Sequence, residues 1–519
     1  VTDEQQTTAP EPDLTEPSLD EQRMVRRAKR ERLLEEGRQA YPTNVARTHS
    51  LAEVRETWAH LGAGEETQDV VSVTGRVVFV RNTGKLCFAT LQEGVGTRLQ
   101  VMLSLAEVGE ESLADWKAVV DLGDHVSVTG RVICSRRGEL SVMATGWEMA
   151  SKALRPLPVF HKELSEETRV RQRYADLIVR QEARDMVRTR SLVTRAVRRT
   201  LEDEGYLEIE TPILQLIHGG AMARPFKTHI NAFDQEMTLR IALELNLKKA
   251  VVGGVEKVFE IGRVFRNEGV DSTHSPEFTM VEGYQAYGDQ FTMAELMREM
   301  YLNAADLIGS RQIVHRQGHE PGSELEPLET IIDLGGEWRW LPVYQGVSEA
   351  VGREITPDTP LETLVALAAE HEVEIDKAWS AGKVVMELCG ELVEPGLLQP
   401  TFLCDFPAEA QPLARLNSAE PRQVLAWDLI IGGVERGTAF TELIDPVVQR
   451  EVLTAQSLKA AGGDPEAMQL DEDFLRALEY GAPPMGGFGL GLDRMIMLFT
   501  GSGIRETILF PLLKPEAHA

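Results

Sequence analysis

Apolar and polar positions alternate through five short runs between Val70 and Trp147: VSVTGRVVFV, LCFATLQE, RLQVMLS, HVSVTGRVI and ELSVMATGWEM. Period-two alternation bounded by turn residues predicts half-buried strands closing into a small β-barrel, with one helical insert near 105–120 between the third and fourth. Upstream the period lengthens to that of a helix from Leu19 to about Gly37, where Gly37 and Pro42 are stop signals, and a short helical segment follows around 50–62. Residues 1–18 are rich in Thr, Pro and Glu without periodicity, the composition of a disordered tail. From about 180 onward helices alternate with strands that pair largely in antiparallel hairpins, which predicts one α+β domain. Its helical runs QFTMAELMREMYLNAADLI and LETLVALAAEH fall in a segment, about 290–390, expected to be an insertion on the sheet's flank. The expected divisions are therefore a tail (1–18), a helical extension (19–65), the barrel (66–150), a basic, proline-bearing linker (151–179) and an α+β domain (180–519).

Two stretches carry the chemistry. FEIGRVFRNEGVDSTHSPEFTMVEGYQAY, residues 259–287, reads as two strands joined by a long polar loop. Arg266 and Glu268, two apart, project from one face; the loop holds Asp271, Thr273 and His274; the return strand brings Phe278, then Glu282 and Tyr284, again two apart. The set suits a nucleotide with its phosphate on Arg266, its tail reached by His274 and its base stacked on Phe278. One Arg/Glu pair alone is ordinarily a weak surface ion pair. The second stretch, GGFGLGLDRMIMLF at 486–499, changes that weighing. Gly487, Gly489 and Gly491 run at period two, not in the GxGxxG dinucleotide pattern, and clear one strand face for a flat group. Arg494 stands at the following helix start, where anions gather, and is expected to cover the other side of the base.

Composition narrows the partners. A formal charge of -28 on 519 residues argues against a generic polyanion binder, so a nucleic acid must be met by local basic patches such as MVRRAKRERLLEEG at 24–37. No window approaches 18 consecutive apolar residues, and a cytoplasmic protein without a membrane span is expected. The four cysteines, at 87, 134, 389 and 404, lack metal-like spacing and read as free core thiols.

FRNEG with the downstream HSPEF resembles motif 2 of the class II aminoacyl-tRNA synthetases, GLGLDR resembles motif 3, and VRRTLEDEGYLEIETPIL (197–214) resembles motif 1, the dimer-forming element. Within that class GGAMARPF, LRIALELNLKK, MVEGYQAY and AFTELIDP are similar to lysyl-tRNA synthetase. The likeness runs from about Gln22, and WDL, GTA and LKAAGGDPEAMQLDEDFL look closest to the synthetase half of the actinobacterial bifunctional protein that also lysylates phosphatidylglycerol, without its membrane half.

The resemblance implies an OB-fold anticodon-binding barrel followed by a class II catalytic domain, and a homodimer that joins lysine to tRNA(Lys) with ATP and Mg2+. It assigns anticodon contacts to Arg81, Phe88, Gln100 and Glu139, where an aromatic plane with amide and carboxylate edges suits splayed bases. ATP falls to Arg266, Glu268, His274, Phe278, Glu435 and Arg494, with Arg266 and Arg494 as catalytic cations. Lysine falls to Gly220, Glu244, Arg266, Glu282, Tyr284, Thr438, Phe440 and Glu442, of which Glu282, Tyr284 and Glu442 take the ε-ammonium. Three convergent glutamates want a cationic guest on physical grounds alone. Magnesium falls to Asp428 and Glu435, brought together by a bend at Gly432-Gly433. Leu243, Asn246, Ser275, Gln411 and Thr438 depart from the commoner pattern, which bears on fine specificity. A tRNA-independent adenylating enzyme and a silent RNA-binding homologue are the rival readings; the intact barrel speaks against the first, the retained arginines against the second.

Overall fold

A computed structural model describes residues 18–94, 96–158, 164–317, 328–376, 379–461 and 468–515, so the expected disordered tail lies outside the described residues except for Ser18. The chain forms two compact units that meet in sequence at Asp185/Met186.

In the first unit, α1 (Leu19–Glu35) and α2 (Leu51–Thr57) each start on a capping box, Ser18 with Glu21 and Ser50 with Glu53. Strands β1 (Glu66–Asn82), β2 (Leu86–Glu93), β3 (Thr97–Ser104), β4 (His125–Cys134) and β5 (Leu140–Ser151) close a barrel in the order β1-β2-β3-β5-β4. Closure removes the sheet edges. Its inward residues, among them Val73, Leu91, Leu99 and Val128, are fully buried together with Trp116 of the helix Glu110–Val119 inserted between β3 and β4. Two short helices, Glu166–Arg171 and Arg173–Val179, occupy the end of the expected linker.

The second unit is built on an eight-stranded sheet. Its strands are β6 (Leu207–Glu208), β7 (Lys257–Phe265), β8 (Glu277–Ala286), β9 (Arg339–Pro342), β10 (Thr401–Cys404), β11 (Ala426–Ile431), β12 (Val434–Thr441) and β13 (Met485–Gly491), in the order β9-β10-β11-β12-β13-β8-β7-β6. All neighbours are antiparallel except β9 with β10 and β6 with β7. The long helix α3 (Gln181–Asp203) precedes the sheet, α4 (Glu244–Val252) precedes β7, and α6 (Leu492–Thr500) follows β13 directly.

The 290–390 segment departs in part from the expected flanking insertion. Helix α5 (Gln290–Ile308) puts Met293, Met297, Met300 and Tyr301 into the same core as Phe259, Trp427 and Phe488, and β9 is an edge strand of the main sheet. The helices Val343–Val351, Leu361–Glu370 and Ala381–Leu392 pack as expected on the sheet's flank, sharing a second core with Leu341, Leu403, Ala426 and Ile430 of β9, β10 and β11. Helical periodicity marks an apolar face without naming what it packs against. All four cysteines are buried and free.

Candidate active site

The sheet brings the two sequence stretches side by side, because β13 pairs with β8 from Met280↔Gly491 to Ala286↔Met485. β7 ends at Phe265, so Arg266 and Glu268 open the loop instead of riding on the strand, although Arg266 N still donates to Pro276 O at 2.9 Å and continues the ladder. The Arg266 guanidinium lies over the Phe278 ring, 5.3 Å from its centroid, and its Nε donates to Ile241 O at 3.3 Å. Burial lowers the Arg266 pKa, opposed by Glu268, Glu282 and Glu435. In the loop the Asp271 carboxylate accepts from Thr273 N (2.7 Å), His274 N (2.8 Å) and the His274 ring, and these donors hold it well below the usual carboxylate range. That local turn fixes His274 at the cavity.

Arg494 sits in the first turn of α6, donating to Glu435 O at 3.2 Å and pairing with the Glu435 carboxylate at 3.3 Å. The preceding Asp493 anchors the helix start: it accepts from Thr279 N at 2.7 Å and from Arg190 of α3, whose other nitrogen donates to Thr279 Oγ1 at 3.1 Å. Arg436 secures the far side, donating to Arg494 O (2.8 Å) and Ile431 O (3.1 Å), and burial lowers its pKa to about 10. Among the expected residues Arg266, Glu268, His274, Phe278, Glu435, Thr438 and Arg494 line one cavity of about 210 Å³, with Gly489 and Gly491 also in its wall. Asp493, Arg190 and Arg436 were not singled out from sequence; the DR dipeptide was the only signal for the first.

The acidic residues gather in a buried cluster outside that lining. Glu282 Oε1 accepts from Leu243 N at 3.0 Å and Oε2 from Tyr284 Oη at 3.2 Å; burial first, then Glu244, pushes its pKa up to about 7. The Leu243 donor exists because the residue is not proline, which has no N–H. Glu442 is raised by burial against the pull of Lys248, and its Oε2 is buried without an aligned hydrogen-bond donor. Gly220, at φ +87, lies against Glu244, and Phe440 pairs with Gly487 across β12 and β13. A Cβ on Gly487 would collide with Glu442 Oε1 and the Tyr284 ring, so the missing side chain opens this pocket. Glu282 also feels Arg266, and a Cβ on Gly489 would lie 3.9 Å from Glu282 Cγ, so cavity and acid cluster adjoin.

β11 and β12 form a two-residue hairpin whose Gly432 and Gly433 both have positive φ (+67 and +70), as a primed turn requires. Thr438 pairs with Asp428, and Glu435 with Ile430, across it. Burial first, then Glu435, raises the Asp428 carboxyl well above the usual range, with Glu394 adding to the repulsion. Such a pair gains from a cation. Among the described residues no three His, Cys, Asp or Glu side chains are grouped to hold a metal by themselves, so these acids fit an ion that completes its shell with phosphate and water oxygens.

In the barrel, Arg81, Phe88, Gln100 and Glu139 line one open cleft of about 600 Å³ together with Arg136 and Arg137. Arg81 lies 4.8 Å over the Phe88 ring, Gln100 Nε2 donates to Ser141 Oγ at 2.8 Å, and Glu139 accepts from Arg55 at 2.9 Å.

Residues 165–514 match the family model for tRNA synthetases class II (D, K and N), and residues 71–150 match that of the OB-fold nucleic acid binding domain. The chain is 58% identical over 507 residues to the lysine–tRNA ligase of Kineococcus radiotolerans, covering 97% of this chain and 99% of that one. It is 55% identical over 503 residues to the lysine–tRNA ligase of Mycolicibacterium gilvum, covering 96% and 98%. The lysylphosphatidylglycerol biosynthesis bifunctional protein of Mycobacterium marinum is 47% identical over 499 residues, 96% of this chain and 44% of that protein.

Proposed function

The chain belongs to the class II tRNA synthetases, and on that premise we propose that it is a lysine–tRNA ligase, activating L-lysine with ATP and passing the lysyl group to the 3′ end of tRNA(Lys). The observation that carries the choice of amino acid is the buried convergence of Glu244, Glu282 and Glu442 beside a cavity flanked by Arg266 and Arg494. Three buried carboxylates outnumber the one lysine ammonium among them and favour a cationic guest, and an aliphatic ammonium fits a site walled by Tyr284 and Phe440.

In this reading ATP stacks its base between Phe278 and Arg494, with Glu268 beside it and His274 reaching the triphosphate tail, and Arg266 turns from the Phe278 ring to the α-phosphate and the lysine carboxylate. Gly220 and Glu244 take the α-amine; Glu282, Tyr284 and Glu442 take the ε-ammonium; Thr438 and Phe440 bound the stem. The lysine carboxylate attacks the α-phosphorus in line and pyrophosphate leaves; the tRNA terminal hydroxyl then attacks the lysyl carbonyl, loses its proton and releases AMP. No side chain acts as general base in the first step, so catalysis is orientation plus charge neutralisation by Arg266 and Arg494. Asp428 and Glu435 would hold Mg2+, which when bound offsets triphosphate charge.

Arg81, Phe88, Gln100 and Glu139 serve the anticodon. Exposed apolar residues on the motif 1 stretch, Leu207, Ile213 and Leu214, support a homodimer through 197–214. No helix among the described residues is long and apolar enough to cross a membrane, which is compatible with a cytoplasmic enzyme. The test is ATP–pyrophosphate exchange with each of the twenty amino acids, then charging of purified tRNA. Exchange with lysine alone and charging of tRNA(Lys) are expected; a flat profile sinks the proposal.

A further inference from the structure

The acid cluster already contains an ammonium. Lys248, one turn beyond Glu244 on α4, is 1% exposed at its side chain, with Nζ 2.5 Å from Glu244 Oε1 and 2.5 Å from Glu442 Oε2, and 5.7 Å from the centroid of the Tyr284 ring. Both carboxylates lie within ion-pair distance of the Lys248 ammonium, which donates to Glu244 Oε1 and sits against Glu442 Oε2. α4 itself is fixed by Leu247 and Val251, both buried with Val258 and Tyr284. Burial opposes its charge, but Glu244 and Glu442 more than offset that and hold it protonated above the ordinary lysine range.

We propose that Lys248 is a positioning and specificity-determining residue, a built-in counter-ion that holds the Glu244 and Glu442 carboxylates in place and leaves the acid cluster with one net negative charge for a cationic side chain to meet. The inference deepens the lysine-activating reading and rests on it. Three carboxylates face two protein cations here, Lys248 from α4 and Arg266 from the end of β7, while Glu282 and Tyr284 come from β8 and Glu442 from the end of β12. The free pocket therefore carries one surplus negative charge. An amino acid with two ammonium groups and one carboxylate neutralises it; one with an uncharged side chain does not. Without Lys248 the surplus doubles, and the buried Glu442 takes up a proton more readily. Sequence carried a signal for this: Glu244 and Lys248 are four apart on a helix, the spacing at which such residues meet.

The test is lysine-dependent ATP–pyrophosphate exchange from about pH 6 to about pH 9, with thermal unfolding as the control for folding, on wild type, Lys248→Met and Lys248→Arg. For Lys248→Met the lysine KM at neutral pH is expected to rise about tenfold or more. The acid limb of kcat/KM for lysine should move up by about one pH unit, and the ATP KM should stay within about twofold. Lys248→Arg keeps the charge and is expected to retain the wild-type limb. A folded Lys248→Met with the wild-type limb and lysine KM overturns the proposal, as does a Lys248→Arg limb displaced as far as that of Lys248→Met. Should Lys248→Met fail to fold, Lys248→Arg decides alone: a wild-type limb and lysine KM support the proposal, and a limb moved up by about one pH unit overturns it. Wild-type exchange is measured first: its absence defeats the lysine-activating reading, whereas wild-type exchange with an indifferent Lys248→Met defeats only the counter-ion role.

Discussion

Each unit of the chain contains an arginine laid over a phenylalanine of an antiparallel sheet: Arg81 over Phe88 on paired strands in the barrel, and Arg266, just past the end of β7, over Phe278 of β8 in the second unit. In the barrel Arg81 is exposed and Phe88 half-buried, in an open cleft where Gln100 is held by Ser141 and Glu139 by Arg55. In the second unit the same pair is enclosed, burial lowers the Arg266 pKa, and buried acids adjoin it. An exposed stack offers a sequence-tolerant seat for an unpaired base. An enclosed one works at low effective dielectric, where a cation aimed at a developing phosphate charge is worth far more. The pair is common to both; the surroundings separate holding from chemistry.

The largest expected effect tests that separation directly. Arg266→Ala, and equally Arg494→Ala, should lower lysine-dependent exchange by about 10³-fold or more, while Arg81→Ala leaves exchange within about twofold and raises the KM for tRNA about tenfold. Exchange within about tenfold of wild type for Arg266→Ala would remove its role. Next is the geometry of the acid pocket. Gly487→Ala drives a methyl into Glu442 and Tyr284, and the lysine KM should rise about 10²-fold with the ATP KM little changed, measured by exchange at varied lysine. A smaller effect compares the rings: Phe278→Ala should raise the ATP KM and Phe88→Ala the tRNA KM, each about tenfold. A Phe88→Ala enzyme with impaired tRNA-free exchange would break the comparison. The smallest is a pH effect. The carboxyl of Glu282 titrates near 7, its charged form lies above that value, and the ammonium needs the charged form. The lysine KM should therefore rise about fourfold between about pH 8 and about pH 6.5, and a flat profile would show that Glu282 does not meet the ammonium.

Much of the nucleotide side was legible before folding because its residues lie in two short stretches. Arg266, Glu268, Thr273, His274, Phe278, two of the period-two glycines (Gly489 and Gly491) and Arg494 line one cavity, since neighbours on a strand or tight loop keep their spacing in space. Two details shifted. Arg266 and Glu268 stand just past the end of β7, and Arg494 pairs with Glu435 from a hairpin some sixty residues upstream. The glutamate trio could be named from its charge and the family likeness, but Lys248 among them was passed over, as were Asp493 and Arg436, whose partners lie far off in sequence. Part of the 290–390 segment was misplaced for a related reason: the methionine stripe of α5 announces an apolar face, not the sheet it covers.

Sequence by itself determined what depends on near neighbours: the barrel's alternating strands, the helix starts, the glycine-cleared strand face and the two stretches that bring Arg266 and Arg494 to one cavity. Tertiary structure alone decided which distant groups are buried together, and through that the charge state of the site. Desolvation and the Coulomb field of neighbours depend on enclosure and distance. That is why Glu282 titrates near neutrality and why a lysine of the chain itself stands between two of the acids meant for its guest.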